Sequence, residues 1–436
     1  MKAPPYVKCK DSGIEWLGQI PAHWDVKRNA LLFDQRDERG YPDLPILNVS
    51  IANGVRLREF SDEHIEQKAS DHGVYKRALA GDIAFNKMRM WQGAVGVVPE
   101  DGLVSPDYTV AVPRDGALPR YFSYLFRTGL HMSKVYWESH GIVDDRNRLY
   151  WEGFRDIGEP TPPLPEQQAI ADFLDRETAN IDALVEKKER LIELLQEKRT
   201  VLITHAVTKG LDPNVPMKDS GIEWLGQIPA HWEVRRLGYL ATVLQTGPFG
   251  SQLHSDEYVS GGIPVINPSN IRGGKLLGNK DAAVDEATWA RLARHHLQES
   301  DIVFSRRGEL GRCALVSKRE EGWLCGTGCL RACLHQGRAS PPFVVRLLST
   351  AAVSEWLCLQ SVGSTMDNLN TEIVGRTPIC LPPVGEQQNI ATFLDRETAK
   401  IDALLAKVGE AIERLKEYRI ALISAAVTGK IDVRAV

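Results

Sequence analysis

The sequence predicts a mixed α/β (α+β) protein of two pseudo-symmetric halves, each a variable domain followed by a long helix. Two observations carry that prediction. The run Lys10-Asp11-Ser12-Gly13-Ile14-Glu15-Trp16-Leu17-Gly18-Gln19-Ile20-Pro21-Ala22-His23-Trp24 returns letter for letter at Lys218 to Trp232, an offset of 208 residues. A second block, Glu166-Gln167-Gln168 with Phe173 to Ala179, returns at Glu386-Gln387-Gln388 with Phe393 to Ala399, an offset of 220. The difference, 220 − 208 = 12, is extra length inside the second copy. Two copies with so long a period fit two lobes better than a solenoid.

The repeats divide the chain in order. Residues 1–163 hold the constant motif and the first variable domain, and 164–211 the first constant helix. Residues 212–217 are a linker whose Pro213 and Pro216 cannot continue the preceding helix. Residues 218–383 repeat the motif and carry the second variable domain, and 384–436 hold the second helix and a tail. Within the helices, Ile181, Val185, Lys188, Ile192, Leu195, Arg199, Leu202 and Ala206 step by fours and threes. Ile401, Leu405, Val408, Ile412, Leu415, Arg419, Leu422 and Ala426 do the same, so both blocks present a coiled-coil seam. Because the seams match position for position, the simplest partner of one helix is the other. Thr178 and Asn180 leave open a break into a short and a long helix.

In the variable domains, Asp82 to Phe85, Gly93 to Val98, Asp301 to Phe304 and Cys313 to Val316 have strand composition. Tyr121 to Trp137 and Phe343 to Leu359 have helical apolar spacing, with Gly141 and Gly363 soon after. Seven cysteines, an odd number, argue against a disulfide framework. Cys325, Cys329 and Cys333 recur every four residues before His335, which suits buried small hydrophobes on a strand face and, as the alternative, a zinc site. The first reading is preferred, and no metal is expected.

Composition narrows the function. With 43% hydrophobic and 25% charged residues the chain reads as globular, and at net −4 it does not coat nucleic acid through bulk positive charge. No apolar run is long enough for a membrane span, and the start lacks a secretory core, so a cytoplasmic location is expected. There is no GxxxxGK[ST], HExxH or GxSxG, and no double proline with the leading residue and aromatic of an amino-methyltransferase loop. No catalytic residue is expected.

What remains is recognition. Lys76 to Gln92 holds Lys76, Arg77, Lys87 and Arg89 against Asp82, with Asn86, Trp91 and Gln92 interleaved. Asp301 to Arg319 sets Arg306, Arg307, Arg312, Lys318 and Arg319 against Asp301 and Glu309. Both segments net +3, and Arg, Lys and Asn are the usual readers of phosphate and base edges. An ordinary solvated turn is the bland alternative. Tyr108 and the Asn267-Pro268-Ser269-Asn270-Ile271-Arg272 loop complete the candidate DNA-contacting set, with Asn267, Asn270 and Arg272 the named residues of the loop.

The Ser12 to Trp24 motif, its copy at Ser220 to Trp232, and the pair Pro162 to Gln168 and Pro382 to Gln388 resemble the DNA-specificity subunits of type I restriction-modification systems. Gly81-Asp82-Ile83, Val104 to Tyr108 and Gly363 to Asn370 add to the likeness, which covers nearly the whole chain. Two departures stand out: Gly141-Ile142-Val143-Asp144-Asp145-Arg146-Asn147 where the second half has its Gly-Ser-Thr-Met version, and Cys325 to Cys329 in place of Ser-Pro-Asp-Tyr. The resemblance implies a non-catalytic adaptor with two target-recognition domains, each reading half of a split site in double-stranded DNA, on antiparallel helices that act as a spacer. Methyltransferase subunits, two of them, and then motor-nuclease subunits would assemble around it. S-adenosylmethionine, ATP and magnesium belong to those partners, and the adaptor takes no cofactor. A helix over residues 166–208 would be roughly 65 Å long, about 19 base pairs; one starting near Thr178 would be roughly 46 Å, about 14. The rival reading is a coiled-coil scaffold with two protein-binding lobes.

Overall fold

The computed structural model describes residues 4–58, 72–141, 147–279, 281–361 and 368–435. They form two compact units, residues 1–189 with 409–436 and residues 190–408.

In the first unit, Cys9–Asp11 and Gln19–Pro21 form an antiparallel hairpin with Lys10 opposite Ile20. Its turn is closed by a bond from Ser12 N to Gly18 O (3.0 Å), and Gly13 and Gly18 adopt φ values of 73° and 68° that side chains disfavour. A four-stranded antiparallel sheet follows, in the order Phe33–Arg36, Tyr108–Pro113, Ile83–Asn86, Val95–Val97. Helices Pro119–Phe126 and Trp151–Asp156 supply aromatics and Gly129–Glu138 supplies Val135 to one core, in which Phe33 lies 5.2 Å from Phe122 and Phe85 lies 5.0 Å from Phe154.

The second unit repeats this plan with other residues. Its sheet runs Ala241–Thr246, Cys329–Leu334, Ile302–Ser305, Cys313–Leu315, and Phe343, Leu347 and Leu357 lie in the core beneath it. Cys325 and Cys329 are fully buried beside Val303 and Ala314, and burial pushes the Cys325 thiol up to about 12. They pack as small hydrophobes, on two different strands rather than on one face of a single strand.

The helical runs at 121–137 and 343–359 are each two helices. Thr128 is extended, accepts a bond from His131 N and donates its hydroxyl to Leu125 O (2.7 Å), ending one helix and capping the next. Thr350 donates to Leu347 O at the same distance between Pro341–Leu348 and Ala351–Ser361. The apolar spacing continues through both breaks, which hid them from a periodicity argument.

The constant blocks are unbroken helices, Leu164–Lys209 and Val384–Val427, of 46 and 44 residues. Of the two alternatives left open at Thr178 and Asn180, the unbroken helix is the one observed. Thr178 and Thr398 turn their hydroxyls back to Leu174 O (2.7 Å) and Leu394 O (2.6 Å) and stay within the helix. The helices run antiparallel. In the first unit Ile181, Val185, Leu415 and Leu422 share one core, and Arg419 Nε donates to Asp182 Oδ1 at 2.9 Å. In the second unit Arg199 Nε donates to Asp402 Oδ1 at 3.0 Å, the image of that pair under the repeat. Ile401 and Ile412 are buried, and Ile192, Leu195, Leu202 and Leu405 are half-buried on helices whose outer faces are exposed. No single helix among the described residues is long and apolar enough to cross a membrane.

Candidate nucleic-acid interface

The repeated motifs explain how each variable domain is fixed to its helix. Strand Asp25–Arg28 pairs with Gly158–Thr161, which leads directly into the first long helix. At that junction the buried Glu166 carboxylate accepts from Tyr6 OH (2.6 Å) and Trp24 Nε1 (3.0 Å) and meets His23 Nε2 at 2.7 Å. Burial works to raise the Glu166 pKa, but the bonds from Tyr6, Trp24 and His23 outweigh it and hold the carboxyl below its ordinary value. Gln167 is fully buried: its Nε2 donates to Gly116 O and Pro162 O, both at 2.8 Å, and its Oε1 accepts from Leu118 N at 2.9 Å. The second copy rebuilds the latch. Glu386 accepts from Trp232 Nε1 (3.1 Å) and meets His231 Nε2 (2.8 Å), while Gln387 bonds Ser340 N, Arg338 O and Pro382 O. The identical letters thus hold a junction. In the first unit Asp432 N also donates to Pro4 O at 2.7 Å.

The basic segments sort into residues that brace loops and residues that face solvent. Lys76 is buried, with its Nζ 3.2 Å from Asp37. Arg77 pairs with Glu38 (3.2 Å) and lies over the Tyr41 ring. Asn86 Oδ1 accepts from Met88 N (2.9 Å), shaping the turn, and Trp91 Nε1 donates to Met88 O (3.0 Å) with its ring against Tyr136. Burial lowers the Lys87 pKa, with Lys76 adding to the effect. Arg89 is exposed and donates to Gln92 Oε1 at 3.2 Å. Tyr108 stands opposite Asn86 across the sheet and donates to Asn48 Oδ1 at 3.4 Å. The fold therefore gathers Asn86, Lys87, Arg89, Gln92 and Tyr108 about one sheet end. Sequence reasoning missed Arg148, which joins them: Leu149 N donates to Lys87 O, and Arg148 lies 3.8 Å from Asp107.

In the second unit Arg306 is buried and donates from Nε to Leu369 O at 2.9 Å, bracing the loop, while Arg307 is exposed beside it. Arg312 is half-exposed and pairs with Glu309. Asn270 is buried, caps its own turn through Asn267 N (2.9 Å) and donates to Leu277 O. Arg272 is exposed, with Nε on Ser269 O. Burial of Lys76, Arg306 and Asn270 was invisible to a count of charges. In the motifs at 141–147 and 363–370, residues 142–146 and 363–367 lie outside the described residues.

Each unit is thus an α/β domain joined to its long helix by a latch that the repeated motif builds at the junction. Residues 229–414 match the family model described as Type I restriction modification DNA specificity domain. The chain is 25% identical over 324 residues to the type I restriction enzyme EcoKI specificity subunit of Escherichia coli K12, covering 72% of this chain and 66% of that one. It is 23% identical over 279 residues to the EcoBI specificity subunit of E. coli, covering 63% and 58%. These matches span less than two thirds of each relative. Among solved structures it resembles the HsdS subunit from Thermoanaerobacter tengcongensis (TM-score 0.59, 16% identity, 94% of this chain and 98% of that one). It also resembles a chain from a study of complex assembly and conformational transition of the type I R-M system (TM-score 0.67, 16% identity, 94% and 99%). Likeness at that identity speaks for the fold alone. The family match covers residues 229–414, and the curated relatives that the chain resembles are specificity subunits of type I restriction enzymes.

Proposed function

We propose that the chain is a non-catalytic DNA-specificity subunit: each unit binds one half of a bipartite site in double-stranded DNA, and the paired helices set the gap. The observation that carries this reading is the contrast between constant and variable parts. Latches built from the same repeated motif hold two sheets of the same strand order, while the side chains at the sheet ends differ: Asn86, Lys87 and Arg89 in one unit, Arg307 and Arg312 in the other. Such a scaffold keeps two different readers in fixed register. Phosphate contacts from exposed arginines would position the duplex, and base-edge contacts would select its sequence.

Partners follow from the helices. Leu191, Leu194, Val201 and Leu404 are exposed apolar residues on the second unit's helical segments, and Leu184, Tyr418 and Ile420 on the first unit's. They suit methyltransferase subunits, two in number given the repeat, with motor-nuclease subunits joining afterwards. S-adenosylmethionine, ATP and magnesium are assigned to those partners. The test is binding of the chain, alone and with its methyltransferase, to duplex DNA at increasing salt. Affinity that falls steeply with salt supports the reading, and no salt-dependent affinity in either form supports the protein-binding scaffold.

A further inference from the structure

Two large apolar side chains outside the basic turns stand in solvent at equivalent places. Trp137, on helix Gly129–Glu138, is 78% exposed, and Leu359, on helix Ala351–Ser361, is 71% exposed. At the offset of 222 that relates them, Thr128 and Thr350 make the same bond to the carbonyl three residues earlier. His131 and Val135 are buried where Val353 and Leu357 are buried, and Ser139 and Ser361 both turn their hydroxyls back into the helix. A lone exposed apolar residue is ordinary. The same exposure at one helix position in two diverged domains asks for a common cause, and the core supplies none, because both side chains point away from it.

The surroundings are also alike. In the first unit this helix packs on the turn that carries Lys87 and Arg89, through Tyr136 on Trp91, and it leads to His140, whose backbone pairs with Arg148. In the second unit Ser354 Oγ donates to Leu310 O (3.2 Å), and a Cβ at Gly311 would lie 3.2 Å from Leu357, seating the helix on the turn that carries Arg307 and Arg312. Each apolar tip therefore belongs to a helix seated on a cationic turn. That pairing suits a polyanion with apolar faces between its charges, which is the make-up of duplex DNA.

We infer that Trp137 and Leu359 are the apolar wedges that each unit presses against the bases of its own half-site, and so are specificity-determining residues. This rests on the proposed DNA-binding function. A flat indole and a branched aliphatic favour different base steps, so the two positions would separate the half-sites as well as grip them.

The experiment uses the complex with its methyltransferase and duplexes carrying both half-sites, each with 2-aminopurine substituted in one half. Trp137→Ala is expected to weaken binding about 5- to 100-fold and to abolish the fluorescence rise of a probe in one half only. Leu359→Ala should do the same for the other half, and Trp137→Phe should retain most of the wild-type response. Both alanine variants should melt with the wild type. Unchanged affinity and probe signal in both variants, equal loss at both halves, early melting, or loss of methyltransferase binding alone would each overturn the inference. A wild-type complex that binds no duplex in a salt-dependent manner would instead overturn the proposed function, so the two failures are distinguishable.

Discussion

Replacing Glu166 by alanine should loosen the first unit at its junction with the long helix. The carboxylate receives Trp24 Nε1 at 3.0 Å and Tyr6 OH at 2.6 Å, and both donors are buried. A hydrogen bond to a charged group contributes about 1.5–3 kcal/mol, and a buried donor left without a partner costs about 1–3 kcal/mol. Allowing for partial relaxation, the loss should be about 3–4 kcal/mol, or about 100- to 1000-fold in the opening equilibrium. Hydrogen exchange on the full chain, followed in peptides containing Trp24 and the start of the helix, reads this locally without assuming that the two units unfold together. Glu386→Ala is the internal comparison. That carboxylate is more exposed and meets two partners, His231 and Trp232, so its loss should cost about 1–2 kcal/mol. A change of less than about threefold in protection around Trp24 would refute the assignment of Glu166 as the anchor.

The same carboxylate gives a pH dependence. Because its folded pKa lies below the ordinary 4.5, its stabilisation is present above that value and is lost as pH falls through the folded one; exchange around Trp24 should rise in that acid range, and Glu166→Gln should remove this component. A second expectation concerns a buried polar group. Asn29 and His131 both bond Glu159 Oε1, at 3.1 Å and 2.9 Å, and all three are fully buried, whereas the second unit has Leu237, Val353 and Ile379 at those places. Thermal melts should show His131→Ala destabilised by about 3–5 kcal/mol and Asn29→Leu/His131→Val/Glu159→Ile close to wild type or above it. Finally, deleting one heptad from both long helices removes roughly 10 Å from each, and sequencing of modified DNA should find a gap shorter by about 3 base pairs.

The plan of the molecule was legible because it is periodic. The letter-for-letter repeat revealed two halves, and fours and threes from Ile181 to Ala206 revealed the helix, since a continuous seam needs that spacing. The strands at 83–86 and 302–305 were visible as short apolar runs. What the motif residues do was not legible. Trp24 and Glu166 are 142 positions apart, and nothing local in the sequence announces that they bond. The helix breaks at Thr128 and Thr350 were masked by uninterrupted apolar spacing. The candidate contact surface was half legible. Charge counting found the turns, but Arg306 and Arg307 are adjacent, one buried on Leu369 O and the other in solvent, and only tertiary packing separates them. The same limit hid Arg148 and Trp137, whose surroundings come from other parts of the chain.

If two different readers are held at a fixed separation, as proposed, modified DNA should record both halves of the site and the gap between them. Mapping every methylated base in DNA from cells that carry this chain with the proposed methyltransferase subunits reads that record. The expected result is one motif with two specified halves and an unspecified gap of constant length, methylated wherever it occurs. Methylation at a continuous motif, at halves with variable spacing, or at no defined sequence would contradict it.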